Sequence, residues 1–363
     1  MHIDLDSLNF PPDLRDQADA ALIQDKSGRT LARLLIEAPR SVSLVARAQA
    51  AAELRQLFPR DRVVWAETDP LLYSLVPNWH WNIVHDHGRN TAYRRAIEAS
   101  VKPGMLVLEI GAGTGLLAMM AARAGAAHVY TIEGNPIMAK IARECVARNG
   151  LADRVTVLHR HSSAVKIGED LPRLADLLIH EILSADLLDE GVLPSIAHAR
   201  RELLTPDALL LPERLWIEGA LSGDLTKFGP DRAQVMGFDL SPLHQIEAGA
   251  PIIEGQAGGS RLSTPQDLLS FDLLEDKLAM ESGREMTLTA TNAGTAAGIE
   301  QWIGLRFPCG TVLSSDDPGS SWGNKFHPFG TTLDIAAGDD VRIEIVHSTE
   351  LLAISLASAP SGP

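Results

Sequence analysis

Met105-Leu-Val-Leu-Glu109-Ile110-Gly111-Ala-Gly113-Thr-Gly115 is a short apolar run that breaks into glycine, and most of the fold follows from it. Interrupted only by Glu109, the run has no polar face, as expected of a parallel strand buried on both sides. The glycines allow a sharp turn and a close approach of a ligand to the backbone. Leu116 to Arg123, closed by Gly125, reads as a helix whose N-terminus adds free N–H groups and a positive dipole end. No Gly-Lys-Ser/Thr follows, which argues against a phosphate-holding loop. Gly-x-Gly-x-Gly also departs from the dinucleotide spacing Gly-x-Gly-x-x-Gly, so the choice between a dinucleotide and S-adenosylmethionine passes to the rest of the chain.

Downstream, strand and helix alternate. His128 to Ile132 is a strand ending in Glu133, 22 residues after Gly111, where a carboxylate can accept both hydroxyls of a ribose. Pro136 opens a helix to about Arg148, ended by Asn149-Gly150. Val155 to Leu158 and Leu177 to Ile179 are further strands. This spacing predicts an open α/β sheet, here assigned to residues 76–211. Near Pro212 the register changes to short alternating runs rich in Gly, Pro and Thr. Leu215–Leu221, Glu285–Ala290, Gln301–Phe307 and Val341–Val346 read as strands of an all-β domain over 212–357, with 223–262 as an excursion. Upstream, Leu31–Ile36 and Val42–Phe58 carry apolar residues at helical spacing, so residues 1–75 are read as a helical extension. Within it Val63-Val64-Trp65 reads as a short strand, and Pro70 and Pro77 frame a linker.

The 363 residues are 45% hydrophobic with a net charge of −15, a composition that suits a folded protein and disfavours a nucleic-acid binder. No apolar run is long enough to span a membrane, and Asp4 and Asp6 stand where a signal peptide would be basic. Cys145 and Cys309 read as free thiols of a cytoplasmic protein.

His180-Glu181-Ile-Leu-Ser-Ala-Asp186-Leu-Leu-Asp189-Glu190-Gly191 begins where a sheet strand ends, the edge at which open α/β sheets collect ligand chemistry. A turn between Glu181 and Glu190 can set two carboxylates over one pocket, matching the five N–H donors of a guanidinium. With these residues the chain resembles the protein arginine N-methyltransferases, which carry a double-glutamate loop after the fourth strand. Gly191-Val-Leu-Pro194-Ser-Ile-Ala-His198 and the upstream Val76-Pro77-Asn-Trp79-His80-Trp81 through Asp86, Arg89 and Asn90 look like the branch containing the seventh and ninth human members. The resemblance spans about residues 76–356.

That resemblance implies a Rossmann-like, class I S-adenosylmethionine-dependent methyltransferase domain, a barrel-like β domain behind it, and S-adenosylmethionine as cofactor. Position by position, Arg89 matches the arginine that pairs with the cofactor carboxylate, Gly111 and Gly113 line its amino-acid end, and Glu133 holds the ribose. Ser162 and Ser163, after His161, fall where the family contacts adenine. Glu181 and Glu190 match the guanidinium clamp, with His80 and Asp86 beside the substrate pocket; Trp79 and Trp81 are candidates to wall it. The implied acceptor is an arginine-containing protein or peptide, with a small guanidino metabolite as alternative. Two departures stand out: His180 replaces the usual Ser before the first clamp glutamate, and Ser320-Ser321-Trp322 replaces Thr-His-Trp, keeping the aromatic at Trp322 but losing the imidazole. The branch often carries two modules in tandem, so one module implies a homodimer, with 223–262 as its arm. No metal is implied. The competing readings are a methyltransferase for another nucleophile, a dinucleotide oxidoreductase and a catalytically silent cofactor-binding scaffold.

Overall fold

The computed structural model describes residues 3–24, 27–77, 79–223, 234–240, 242, 252–253 and 261–357. Helices α1 (Arg15–Gln24), α2 (Arg29–Glu37), α3 (Leu44–Leu57) and α4 (Arg62–Leu75) form an N-terminal layer. Their apolar faces bury Leu31, Leu35, Leu54 and Val64 around Phe10. The Val63–Trp65 segment is the first turn of α4 and not a strand. Asp61 caps it, its carboxylate accepting from Val63 N at 3.0 Å and Val64 N at 3.4 Å, and this local pairing overrides the β preference of two valines and a tryptophan. α4 continues through Pro70, so the expected linker shrinks to the residues around Pro77.

After α5 (Trp79–His85) and α6 (His87–Ser100) comes a five-stranded parallel sheet. Its strands are β1 (Leu106–Ile110), β2 (His128–Glu133), β3 (Val155–His159), β4 (Ala175–His180) and β5 (Leu204–Leu211), in the order β3-β2-β1-β4-β5. Helices α7 (Leu116–Ala124), α8 (Pro136–Arg148) and α9 (Val192–Glu202) make the crossovers. The chain winds outward from β1 in one direction to β3 and then jumps to β4, so β1 and β4 flank the point where strand order reverses. Ile110 is in register with both Ile132 and His180. The residues that follow, Gly111, Glu133 and Glu181, therefore gather at one carboxyl edge, where such sheets bind ligands.

The last part of the chain is antiparallel. β6 (Arg214–Ser222) is followed by three two-residue strands, β7 (Gln234–Val235), β8 (Phe238–Asp239) and β9 (Ile252–Ile253). Then come β10 (Gln266–Asp272), β11 (Ser282–Thr289), β12 (Gly294–Arg306), β13 (Val312–Ser314), β14 (Asn324–Ile335), β15 (Asp340–His347) and β16 (Leu352–Leu356). One six-stranded sheet runs β10-β6-β12-β14-β9 with β13 on β12, and a second runs β11-β15-β16. Of the expected arm at 223–262, only the β7–β8 hairpin, β9 and isolated flanking positions lie inside the described residues. A single apolar core joins the parallel sheet to the β domain through residues such as Leu187, Leu211 and Leu215. The N-terminal layer has its own core, which takes in Ile137 of α8.

Candidate active site

A cavity of about 370 Å³ opens at the carboxyl edge of β1, β2 and β4, with α5 on its far side. Of the residues singled out in the sequence, His80, Arg89, Gly111, Gly113, Glu133, Ser162, Glu181 and Glu190 line it. Gly111 adopts φ +90°, and a Cβ there would meet Ile182 Cγ2 at 2.7 Å; the turn is closed to any side chain. Gly113 has φ +52° and nothing within 4 Å of a notional Cβ, so it leaves open space for a ligand. Glu133 is fixed by two backbone donors, Gly113 N at 2.9 Å and Asn135 N at 2.8 Å.

Arg89 and Glu181 form an ion pair across the cavity, with side chains only 5% and 7% exposed. Burial works against the arginine's charge, yet the Glu181 carboxylate keeps its pKa raised. Burial likewise lifts Glu181 above the ordinary carboxylate range, and the Arg89 charge offsets this only in part. Each partner has one buried polar atom left over: Arg89 Nε lacks an acceptor and Glu181 Oε1 lacks a donor. Two unmatched groups of opposite demand in one cavity are costly unless a ligand meets them. Glu190 stands at the exposed rim. Withdrawal from water, reinforced by the carboxylates of Glu181, Asp189, Glu133 and Asp186, pushes its pKa up to about 7.

Asp86 and Trp322 lie outside the cavity wall and act on it from behind. Asp86 caps α6 through Arg89 N at 2.8 Å and accepts Ser321 N from the β domain, also at 2.8 Å. Trp322 is buried, its indole N–H donating to Leu183 O at 2.9 Å inside the double-glutamate turn. Ser163 faces solvent, its hydroxyl 2.7 Å from His161 Nδ1 and off the cavity wall. His80 is held with Nδ1 2.8 Å from Pro77 O and stacks on Trp79 at a centroid distance of 3.8 Å. Trp79 joins it on the wall, but Trp81 does not: two residues along a helix is about a 200° rotation, and Trp81 points to solvent, 68% exposed.

Both departures from the family pattern have structural accounts. His180 is fully buried, with Nε2 3.0 Å from Pro212 O, and Tyr93 donates to its backbone carbonyl at 3.0 Å. Burial holds the imidazole pKa down to about 4, so it is a neutral tie between β4 and the start of β6. At Ser321 the contact with Asp86 comes from the backbone amide, and the hydroxyl is buried without a partner.

Two cavity residues escaped the sequence reading. Glu109, fully buried in β1, accepts from Thr131 Oγ1, and burial pushes its pKa up to about 8. Its signal was a lone charge in an apolar strand. Asn135 caps α8 through Ile137 N at 2.9 Å, while its amide donates to Leu75 O at 2.6 Å, tying the N-terminal layer to the cavity wall.

A parallel sheet with a glycine turn at its switch point and a backbone-anchored carboxylate ending β2 is the architecture of a nucleotide-cofactor domain, and similarity to known proteins narrows it to an S-adenosylmethionine-dependent methyltransferase. The family model described as ribosomal protein L11 methyltransferase (PrmA) matches residues 87–202. An arginine N(omega)-methyltransferase from Streptomyces achromogenes subsp. streptozoticus is 36% identical over 288 residues, 77% of this chain and 79% of that protein. Protein arginine N-methyltransferase 7 from Oryza sativa subsp. indica is 41% identical over 215 residues, but the match spans only 28% of its length. The chain belongs to the arginine N-methyltransferase family. The fold agrees: the Trypanosoma brucei PRMT1 enzyme-prozyme complex with AdoHcy superposes over 78% of this chain and 94% of its own, with TM-score 0.68 at 23% identity. Arabidopsis thaliana protein arginine methyltransferase 10 gives TM-score 0.62 at 20% identity, over 78% of this chain and 93% of its own.

Proposed function

We propose that this chain transfers a methyl group from S-adenosylmethionine to a guanidino nitrogen of arginine, with Glu181 and Glu190 clamping the guanidinium. The carrying observation is the pair of orphaned buried atoms, Glu181 Oε1 and Arg89 Nε. The first asks for a cationic donor and the second for an anion, which a guanidinium and the carboxylate of the cofactor's amino-acid end would supply. The residues fit the cofactor: Gly113 leaves open space, Glu133 would offer its carboxylate to the ribose hydroxyls, and Ser162, on the cavity wall after β3, would contact the adenine.

When bound, S-adenosylmethionine supplies an electrophilic methyl carbon on a positively charged sulfur. The chain's own task is to present a nitrogen lone pair to that carbon, in line with the departing sulfur. Guanidinium keeps its proton at neutral pH, so the carboxylates must draw positive charge toward the nitrogens they bind and free electron density on the third. As the new C–N bond forms and the C–S bond breaks, that nitrogen sheds a proton. Glu190, titrating near neutrality at the solvent rim, is suited to accept it. His80, Asp86 and Trp322 hold the pocket's shape.

The acceptor has two readings. Kinship with protein arginine N-methyltransferase 7 supports a protein or peptide arginine. A relative matched over most of both chains is named for arginine itself, and this favours a small guanidino acceptor. On the same reading the chain divides into 1–75, 76–211 and 212–357, the last a barrel-like half. It works in the cytoplasm as a homodimer, for which Met236 and Phe238 on the exposed β7–β8 hairpin are contact candidates.

The test pairs methyl-labelled S-adenosylmethionine with free arginine and an arginine-rich peptide library, products being read by mass spectrometry. Label on a guanidino nitrogen is expected, with Glu181→Gln cutting turnover about 100-fold or more while S-adenosylhomocysteine affinity, by calorimetry, stays within a few fold. Near-wild-type turnover in Glu181→Gln would remove the clamp from the mechanism. Label on another nucleophile would replace the acceptor.

A further inference from the structure

The turn between the clamp glutamates carries no regular secondary structure, yet its interior is buried: Leu183, Ala185, Leu187 and Leu188 are all nearly inaccessible. A loop that must fix two carboxylates needs its backbone carbonyls matched from elsewhere. The match comes from one face of the β domain. Gln301 on β12 is directly opposite Lys325 on β14, and His327 lies two residues further along β14. Side chains at that spacing project from the same sheet face.

On that face, fully buried Gln301 donates its amide to Ala185 O at 2.8 Å. Lys325 reaches the Asp186 carboxylate at 2.6 Å. Behind them, His327 Nε2 is 3.1 Å from Gln301 Oε1. An amide that gives its N–H₂ to a carbonyl can only accept from the imidazole, so His327 is the donor in the Nε2–H form. Burial, followed by the Lys325 charge, holds its pKa down to about 4 and keeps it neutral; the nearby Asp186 carboxylate opposes this. The imidazole therefore fixes which way the Gln301 amide points, and the amide fixes Ala185.

We infer that Gln301 and His327 are positioning residues of the guanidinium clamp, setting the distance between Glu181 and Glu190 through the Ala185 carbonyl. The inference rests on the clamp reading above. It assigns the β domain a direct part in acceptor capture, because the brace comes from strands β12 and β14, more than 110 residues beyond the turn.

Three variants test it in the full chain: Gln301→Met, which keeps volume and loses both hydrogen bonds, His327→Leu, which frees the amide to rotate, and His327→Gln, whose amide can donate as the imidazole does. Steady-state kinetics with arginine and an arginine peptide are measured beside calorimetric S-adenosylhomocysteine affinity and Tm. The expected result is a fall of about tenfold in kcat/KM for the acceptor, carried mainly by KM, in Gln301→Met and His327→Leu. Cofactor affinity stays within about twofold, and His327→Gln recovers most of the loss. Unchanged kcat/KM in Gln301→Met overturns the inference, as does a loss of cofactor affinity in step with Tm, which would make the pair a prop of the fold. Glu190→Gln in parallel separates the two layers. If it raises acceptor KM while Gln301→Met does not, only the brace fails; if it leaves KM alone, the clamp reading fails and the brace with it.

Discussion

Glu190→Gln removes a rim carboxylate whose charge switches near neutral pH. Its pKa, ordinarily 4.5, is pushed up to about 7 by partial withdrawal from water and by the carboxylates of Glu181, Asp189, Glu133 and Asp186. Guanidinium stays charged throughout this range and pairs with the ionised form, so capture strengthens as pH rises through the midpoint. With a midpoint of 7 the ionised fraction climbs from about 9% at pH 6 to about 91% at pH 8, an approximately tenfold gain in kcat/KM for the acceptor. The assay is label transfer from saturating S-adenosylmethionine to arginine across pH 5.5–8.5 at constant ionic strength. Glu190→Gln should lose the limb centred near 7. Salt gives a second handle: screening weakens the repulsion from the neighbouring carboxylates but not the cost of withdrawal from water, so the wild-type midpoint should fall only part of the way as ionic strength rises. Stability follows the opposite sign. With its folded-state pKa above the unfolded value, the folded protein binds the proton more tightly between about 4.5 and 7 and loses that advantage as pH rises. The Tm of Glu190→Gln should therefore gain on wild type from pH 5 to pH 8. A wild-type profile flat between pH 6 and 8, or a limb that persists in Glu190→Gln, would refute the reasoning.

Two further substitutions probe the cofactor side. Gly111→Ala forces a side chain into a left-handed backbone position, 2.7 Å from Ile182 Cγ2, and should cost about 1–3 kcal/mol by urea unfolding while weakening S-adenosylhomocysteine. An unchanged Tm would mean that the turn relaxes freely. Asn135→Ala removes the α8 cap and the tie to Leu75 O, with an expected loss of about 1–2 kcal/mol and weaker cofactor binding in calorimetry. Full affinity in this variant would uncouple the N-terminal layer from the cavity.

The strand and glycine turn at 105–115 were legible because a buried parallel strand and a left-handed turn are local demands that few residues satisfy. The β segments after Pro212 were legible in kind for the same reason: period-two alternation is local. Val63–Trp65 misled because β preference is weak beside a capping hydrogen bond, and the signal that outweighs it is the single residue Asp61. Glu181 and Glu190 were readable as candidates from type and position, and Arg89 from the family resemblance. Their pairing was not, since Arg89 and Glu181 are 92 residues apart and meet only because α6 lies against the end of β4, where Tyr93 of the same helix donates to His180 O. Gln301 and His327 were further out of reach. Their function depends on cross-strand register between β12 and β14, which a β-bulge shifts between Ala296 and Gly298.

The same register logic bears on where the acceptor's proton goes. The family's barrel histidine would bring an imidazole to Asp86; here that position is Ser321, and what meets Asp86 is a main-chain N–H. An amide can hold a carboxylate in place but cannot exchange a proton with it near neutral pH. His327 does not substitute, because its Nε2 is committed to Gln301 and burial keeps the ring neutral. His180 is likewise buried, its Nε2 tied to Pro212 O. With these imidazoles removed from proton transfer, the β-domain side of the pocket serves geometry alone. On the proposed mechanism the proton leaves on the other side, through Glu190, which is both at the solvent rim and near its own midpoint at neutral pH. Loss of the imidazole thus leaves methyl transfer intact and moves proton release to the carboxylate side of the pocket.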